Sequence, residues 1–258
     1  MRLRTRNPRR VAIAGLALVT AAALTACTSD DEGNGDASGD AQTTTTVNES
    51  APQAPLDQLV LGEGEAPGGG VVQVIEPALL QEAVDKLVAD QGKQLMEDPA
   101  CDRVSRLETV SNFATTDGLT AAVRYKQSEE DETEHRFGIG MVGEKLDDFM
   151  DRSLYEACTS SRSTTNPDVE LVMTVDDAPA LEGVEGFRVT SDFITTRPDG
   201  TRSLSRAIAI HGYTRETTVS VEYAARGNDP AANPVLPSAD GALDAIYQAQ
   251  MAKIATAE

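Results

Sequence analysis

Four stretches in the second half of the chain alternate apolar and polar residues with period two, and short turns separate them. Val169, Leu171, Met173 and Val175 mark the first, and Phe187, Val189, Ser191 and Phe193 the second. In the third, Leu204, Arg206, Ile208 and Ile210 oppose Ser205, Ala207, Ala209 and His211. Thr217, Val219, Val221 and Tyr223 mark the fourth. Period two is the pattern of a half-buried strand. Arg197-Pro198-Asp199-Gly200 is a turn sequence between the second and third stretches. Connections this short join antiparallel strands, because a parallel crossover needs a dozen or more residues. This half is therefore expected to form an antiparallel sheet.

Helical spacing surrounds these strands. Glu76-Pro77 opens a helix, since proline suits the first helical turn. Leu80, Ala83, Val84, Leu87 and Val88 then recur on one face. Asp98-Pro99 ends that pattern. Thr109 to Ala114, the turn Thr116-Asp117-Gly118 and the alternating run from Leu119 to Tyr125 read as a hairpin, with Arg136 to Val142 as a third strand. Val71 to Ile75 reads as an edge strand. A second helix is expected through Leu146, Phe149, Met150, Ala157 and Cys158. A last helix, capped by Ser238, carries Leu243, Ile246, Tyr247 and Ile254. The expected fold class is α+β, an antiparallel sheet covered by helices, spanning residues 56–258 and preceded by a lipoprotein signal and a disordered tether.

The first 26 residues read as that signal. Arg2, Arg4, Arg6, Arg9 and Arg10 precede an uncharged run from Val11 to Ala26. The run is short of the roughly 20 apolar residues that span a bilayer and has the form of a cleaved export signal. Leu24-Thr25-Ala26-Cys27 resembles the lipobox of bacterial lipoproteins. That resemblance implies that the Cys27 thiol takes a diacylglyceryl group, that the chain is cut before it, and that the freed amine is acylated. The other reading is cleavage near Ala23 or Ala26, with Cys27 left as a thiol. Each buried methylene contributes about 0.8 kcal/mol, so several chains on one cysteine hold almost permanently. The expected location is the extracytoplasmic face of the cell membrane, with the membrane a partner through the anchor.

Residues 27–55 form the expected tether. No lysine or arginine occurs between Arg10 and Lys86, and the stretch is rich in Asp, Gly, Ser and Thr. It lacks the apolar surface needed to order itself. A flexible chain of that kind reaches roughly 35–40 Å. Its Asp and Gly residues do not have the spacing of a calcium loop.

Charge and cysteine content narrow the partners. Removing five leader arginines from 22 basic residues leaves 17 against 42 acids, a mature net charge of −25. Nucleic acid is excluded as a partner, because phosphate binding needs clustered Lys and Arg. Of three cysteines, Cys101 and Cys158 remain once Cys27 is lipidated. An exported chain meets oxidising conditions, so the pair reads as a disulfide. A metal pair or a reactive thiol is the alternative, but neither cysteine has a C-x-x-C spacing or a nearby histidine in sequence.

Several of these features together carry a resemblance. They are Cys27 at the end of its lipobox-like stretch, Leu56 to Leu61 before a glycine-rich segment, Asp98-Pro99-Ala100-Cys101, Cys158, and a strand-rich half closed by a helix. The chain resembles exported actinobacterial cell-envelope lipoproteins, similar to the extracellular sensor domain of PknH-like receptor kinases, over Leu56 to Ile254. The resemblance implies an α+β sheet with a groove and a ligand-sensing or binding role. Such domains commonly carry two disulfides, whereas this chain has cysteines for one.

Catalytic arrangements lack parts. The chain has two histidines and no G-x-S-x-G, H-E-x-x-H or phosphate loop. His135, among Glu129, Glu130, Asp131, Glu132 and Glu134, reads as a solvated loop residue. His211 reads as a surface or packing residue. Arg188, Arg206 and Arg215 read as strand-face salt-bridge partners, with anion binding as the alternative. No catalytic, metal or cofactor residue is expected. The expected function is a non-catalytic module that binds an envelope ligand or protein. An envelope lipid or glycolipid carrier, with a large apolar cavity, is the alternative; a hydrolase would need a nucleophile and base not visible here.

Overall fold

Eight strands pair antiparallel throughout in the computed structural model, in the order β1-β2-β3-β8-β7-β6-β5-β4. The structure describes residues 50–90, 93–107, 118–126, 134–227 and 233–258. The strands are β1 (Val71–Val74), β2 (Leu119–Lys126), β3 (Glu134–Val142), β4 (Ser160–Arg162), β5 (Val169–Asp177), β6 (Glu185–Thr196), β7 (Arg202–Thr214) and β8 (Thr217–Gly227). Six α-helices accompany them among the described residues: α1 (Leu56–Leu59), α2 (Pro77–Asp90), α3 (Pro99–Leu107), α4 (Asp147–Met150), α5 (Arg152–Ala157) and α6 (Pro237–Thr256). The four alternating stretches are β5 to β8, and the fold is α+β.

Helix α6 covers one face of the sheet. Leu243, Ile246, Tyr247 and Ile254 are buried, as their spacing predicts, and so are Gln250 and Met251. They meet Phe137, Ile139 and Met141 of β3, Ile208 and Ile210 of β7, and Val219 and Val221 of β8. Each such side chain contributes about 1.5–3 kcal/mol by leaving water. The Gln250 amide replaces a missing strand neighbour: its Nε2 donates to Leu59 O at 2.9 Å and its Oε1 accepts from Leu61 N–H at 3.0 Å. The helix starts one residue before the expected cap. Pro237 occupies the first turn and Leu236 precedes it with no side-chain cap, so Ser238 is not the N-cap.

Helices α3 and α5 cover the other face over β5 and β6. Cys101 and Cys158 are buried and joined in a disulfide, with Val104, Tyr155, Leu171, Met173, Phe187 and Val189 around them. Asp98-Pro99 does more than end a pattern. Asp98 Oδ1 accepts from Ala100 N–H at 2.8 Å and Cys101 N–H at 3.1 Å, so it starts α3. The single helix expected from Leu146 to Cys158 is two. Asp151 interrupts it and accepts from Ser153 N–H at 3.0 Å, capping α5. An aspartate side chain competes for backbone donors and favours caps over helix interiors.

One sheet edge is covered and the other open. Residues 94–97 lie along β4, with Glu97 N–H donating to Arg162 O and Thr164 N–H to Leu95 O, each at 2.9 Å. Asp102 holds this segment by accepting from Leu95 and Met96 N–H while pairing with Arg106 at 3.1 Å. Burial pushes the Asp102 carboxyl up, but those donors outweigh it and hold it below the usual carboxylate range. Its contribution is present above the unfolded pKa and fades as pH falls through the lowered folded value. β1 is the open edge, as expected, and its Val71 and Val74 are exposed.

The predicted strand Thr109 to Ala114 and the turn residues Thr116 and Asp117 lie outside the described residues. So do the side chains of Ala83, Val84, Leu87 and Val88 on α2; Leu80 is buried.

Replacing Cys101 and Cys158 by alanine is expected to cost about 4 kcal/mol, the loop-entropy value for the 57-residue separation. Thermal melts of that variant and of reduced wild type should fall together. A second outcome concerns Tyr247, whose buried hydroxyl lies over the facing pair Gly186 and Gly212 with no hydrogen-bond partner. Burial pushes it up to about 12. A Cβ at Gly212 would sit 2.7 Å from that oxygen. Gly212→Ala should destabilise by about 1–3 kcal/mol. Tyr247→Phe should cost nothing measurable and relieve the Gly212→Ala defect only in part in chemical denaturation, because the Tyr247 ring carbon at 2.9 Å and Met251 Cε at 3.0 Å remain in the way.

Candidate ligand-binding face

The face opposite α6 changes character along the sheet. Under α3 and α5 it presents Leu171, Met173, Phe187 and Val189. Toward β2 it presents small residues. The strand register lines up three rows on this face. The first runs Thr120, Gly140, Ser220, His211, Phe187. The second runs Ala122, Gly138, Glu222, Ala209, Val189. In the third, Arg124 faces Arg136 across β2 and β3, and Ser191 faces Ala207, itself opposite Ala224. Glycine at alternate strand positions removes packing and permits close approach to the backbone.

Two hydroxyls on this face are buried without partners. Thr120 is 3% exposed and Ser191 2%, and neither Oγ has a hydrogen-bond partner. An unsatisfied buried hydroxyl costs about 1–3 kcal/mol, and Tyr247 Oη on the other face is in the same condition. Ser220 Oγ donates to Glu222 Oε1 at 3.2 Å, and Glu222 is half-buried in the middle row. Ala122, Gly138, Ala207 and Ala224 are half-buried, and Arg124 and Arg136 are exposed at the rim. Arg136 pairs with Glu134 at 2.9 Å; Arg124 has no ion pair among the described residues. Like charges directly opposite on a sheet are destabilising.

The residues singled out in the sequence fall elsewhere. Cys27 lies outside the described residues. His135 is not solvated: it is 3% exposed within β3, and its Nδ1 lies 2.9 Å from Tyr223 Oη. Strand alternation turns it toward the α6 face with Phe137, whatever the acidity of the preceding residues. Burial raises the Tyr223 hydroxyl. His211 is a packing residue, with the rings of Phe149 at 4.3 Å, Phe187 at 5.2 Å and Tyr155 at 5.5 Å.

The three weighed arginines serve the fold. Arg206 Nε and Nη2 each reach an Asp192 oxygen at 2.6 Å, directly across the β6–β7 ladder. Arg188 joins the sheet to α6 through Asp240 and, at 2.8 Å, Asp244. Arg215 departs from the salt-bridge expectation. Its guanidinium donates to the carbonyls of Ile254 at 2.7 Å and Ala257 at 2.6 Å, and to Ser50 O at 2.5 Å. A cation there satisfies the orphan carbonyls at a helix C-terminus. With Gln53 N–H donating to Glu258 O at 2.9 Å, chain contacts with the domain begin before Leu56. Arg215 and Glu216 have φ of 48° and 58°, the positive pair a two-residue hairpin turn requires.

Among the described residues, no three His, Cys, Asp or Glu side chains are placed to hold a metal ion. A shallow polar depression of about 350 Å³ beside α3 is lined by Lys93, Gln94, Pro99, Asp102 and Arg106. No protein-family model matches this chain, and neither does any curated protein or solved structure.

Thr120, Ser191, Glu222 and the Arg124–Arg136 pair were not visible as a site in sequence, because they are separated in the chain and meet only through register. The one local signal is Gly138-Ile139-Gly140, glycine at i and i+2 within a strand. Arg215→Asn should keep the turn, since asparagine tolerates positive φ, and lose the clamp. The expected result is a loss of about 1.5–3 kcal/mol, with faster amide exchange confined first to residues 254–258.

Proposed function

We infer that the chain is a membrane-anchored extracytoplasmic lipoprotein whose α+β domain binds an envelope ligand or partner and is non-catalytic. The observation that carries the binding role is the half-buried, small-residue floor of Ala122 and Gly138 with Glu222 beside it and Arg124 at its rim. The attachment geometry agrees with it. Ser50, where the tether joins, is held by Arg215 at the β7–β8 turn. Arg124 and Arg136 lie toward the other end of the strands, next to the Phe137–Tyr223 pair, whereas the turn adjoins the Thr214–Thr217 pair. The anchor reading rests on Leu24-Thr25-Ala26-Cys27.

Cys27→Ala is the test of the anchor. The wild-type chain should fractionate with membranes and release an N-terminal peptide carrying acyl groups on Cys27 by mass spectrometry. The variant should move to the soluble or secreted fraction. Full membrane retention of the variant would sink the anchored reading.

A further inference from the structure

The geometry points to an anionic sugar, a hexose phosphate or hexuronic acid, as the ligand of the small-residue face, a proposal that rests on the binding-module reading above. The floor is made of Ala122 and Gly138 side by side, with Glu222 next in the row. Without bulky side chains, a flat ring can lie against the backbone there. All four strands of this floor, β2, β3, β8 and β7, are paired on both sides. They therefore have no free backbone donors for an added peptide strand, which sets this face apart from an augmentation site.

The polar groups set the chemistry. Glu222 is a carboxylate acceptor beside the floor, suited to the hydroxyl donors of a sugar. Thr120 lies two residues from Ala122, about 7 Å along the strand, and is buried, so it closes that end of the floor. Arg124 and Arg136 lie two residues from Ala122 and Gly138 in the other direction and face each other. Arg136 is engaged by Glu134 at 2.9 Å, so Arg124 is the guanidinium left to take a phosphate or carboxylate by charge-assisted bonds, with Arg136 beside it adding positive charge. Arg124, without an ion pair among the described residues, is a local positive charge in a chain of net charge −20. The field also argues against an extended polyanion, which would meet the acidic surface beyond the two arginines.

The test uses the full mature chain in detergent micelles and calorimetric titration with glucose 6-phosphate, glucuronic acid, glucose and triglutamate. Vesicles containing phosphatidylinositol, against phosphatidylcholine alone, form a second arm. Glucose 6-phosphate or glucuronic acid should bind saturably and at least tenfold more tightly than glucose. Binding should weaken at least tenfold in Arg124→Ala/Arg136→Ala, whose exposed positions leave the melting temperature unchanged. Ala122→Leu, which fills the floor, should abolish it. Binding to phosphatidylinositol vesicles alone, lost in the same variants, would assign the sugar to a lipid headgroup; binding of free sugar would assign a soluble source. Equal affinity for glucose, competition by triglutamate, indifference to the arginine pair, or no binding of any anionic sugar would each overturn the assignment. If an unrelated ligand bound and Ala122→Leu abolished that binding, the sugar assignment would fall and the binding module would stand.

Discussion

A slip of one residue in the pairing of β7 would turn its buried side chains outward, because side chains alternate with period two. Its register with β6 and β8 places Ile208 and Ile210 under α6, His211 among Phe149, Tyr155 and Phe187, and Arg206 against Asp192. It also places Gly212 beside Gly186, leaving the gap that the Tyr247 ring fills. The bidentate Arg206–Asp192 pair adds geometric specificity to that register. The turn that reverses β7 into β8 requires two positive φ values in non-glycine residues, a conformation sustained only when surroundings over-determine it. The long β7–β8 ladder on either side fixes the turn, and the Arg215 bonds tie it to the end of α6.

The two faces of the sheet answer different demands. The α6 face is a continuous apolar layer, and its buried polar groups are chiefly backbone-directed, such as Gln250 to Leu59 and Leu61. The opposite face is apolar under the disulfide-linked α3 and α5 and becomes small and polar toward β2. A packed core gains from large side chains; a surface that admits a ligand gains from their absence. Along one row Val189 and Ala209 are buried and Glu222 and Gly138 are half-buried, and packing gives way to access between them.

Much of the fold was legible because it rests on local patterns. The runs of β5 to β8 alternate cleanly, and the stripe of α6 follows helical spacing. The misreadings came from side chains acting on nearby backbone. Asp151 divides a helix that its apolar spacing would continue, and Asp98 opens one where proline was read only as a stop. The shift of the α6 cap from Ser238 has the same local character. His135 was misread for a different reason: a run of acids suggested solvent, while its position in β3 decided burial.

The amino-acid sequence alone determined the acidic balance, the pairing expected of Cys101 and Cys158 and the antiparallel α+β class, because each depends on composition or on spacing within a few residues. Tertiary structure alone decided that Arg215 binds the end of α6, and that Thr120, Gly138, Glu222 and the two rim arginines share a face. Those contacts join residues tens of positions apart, and only strand register and helix docking set the distance between them.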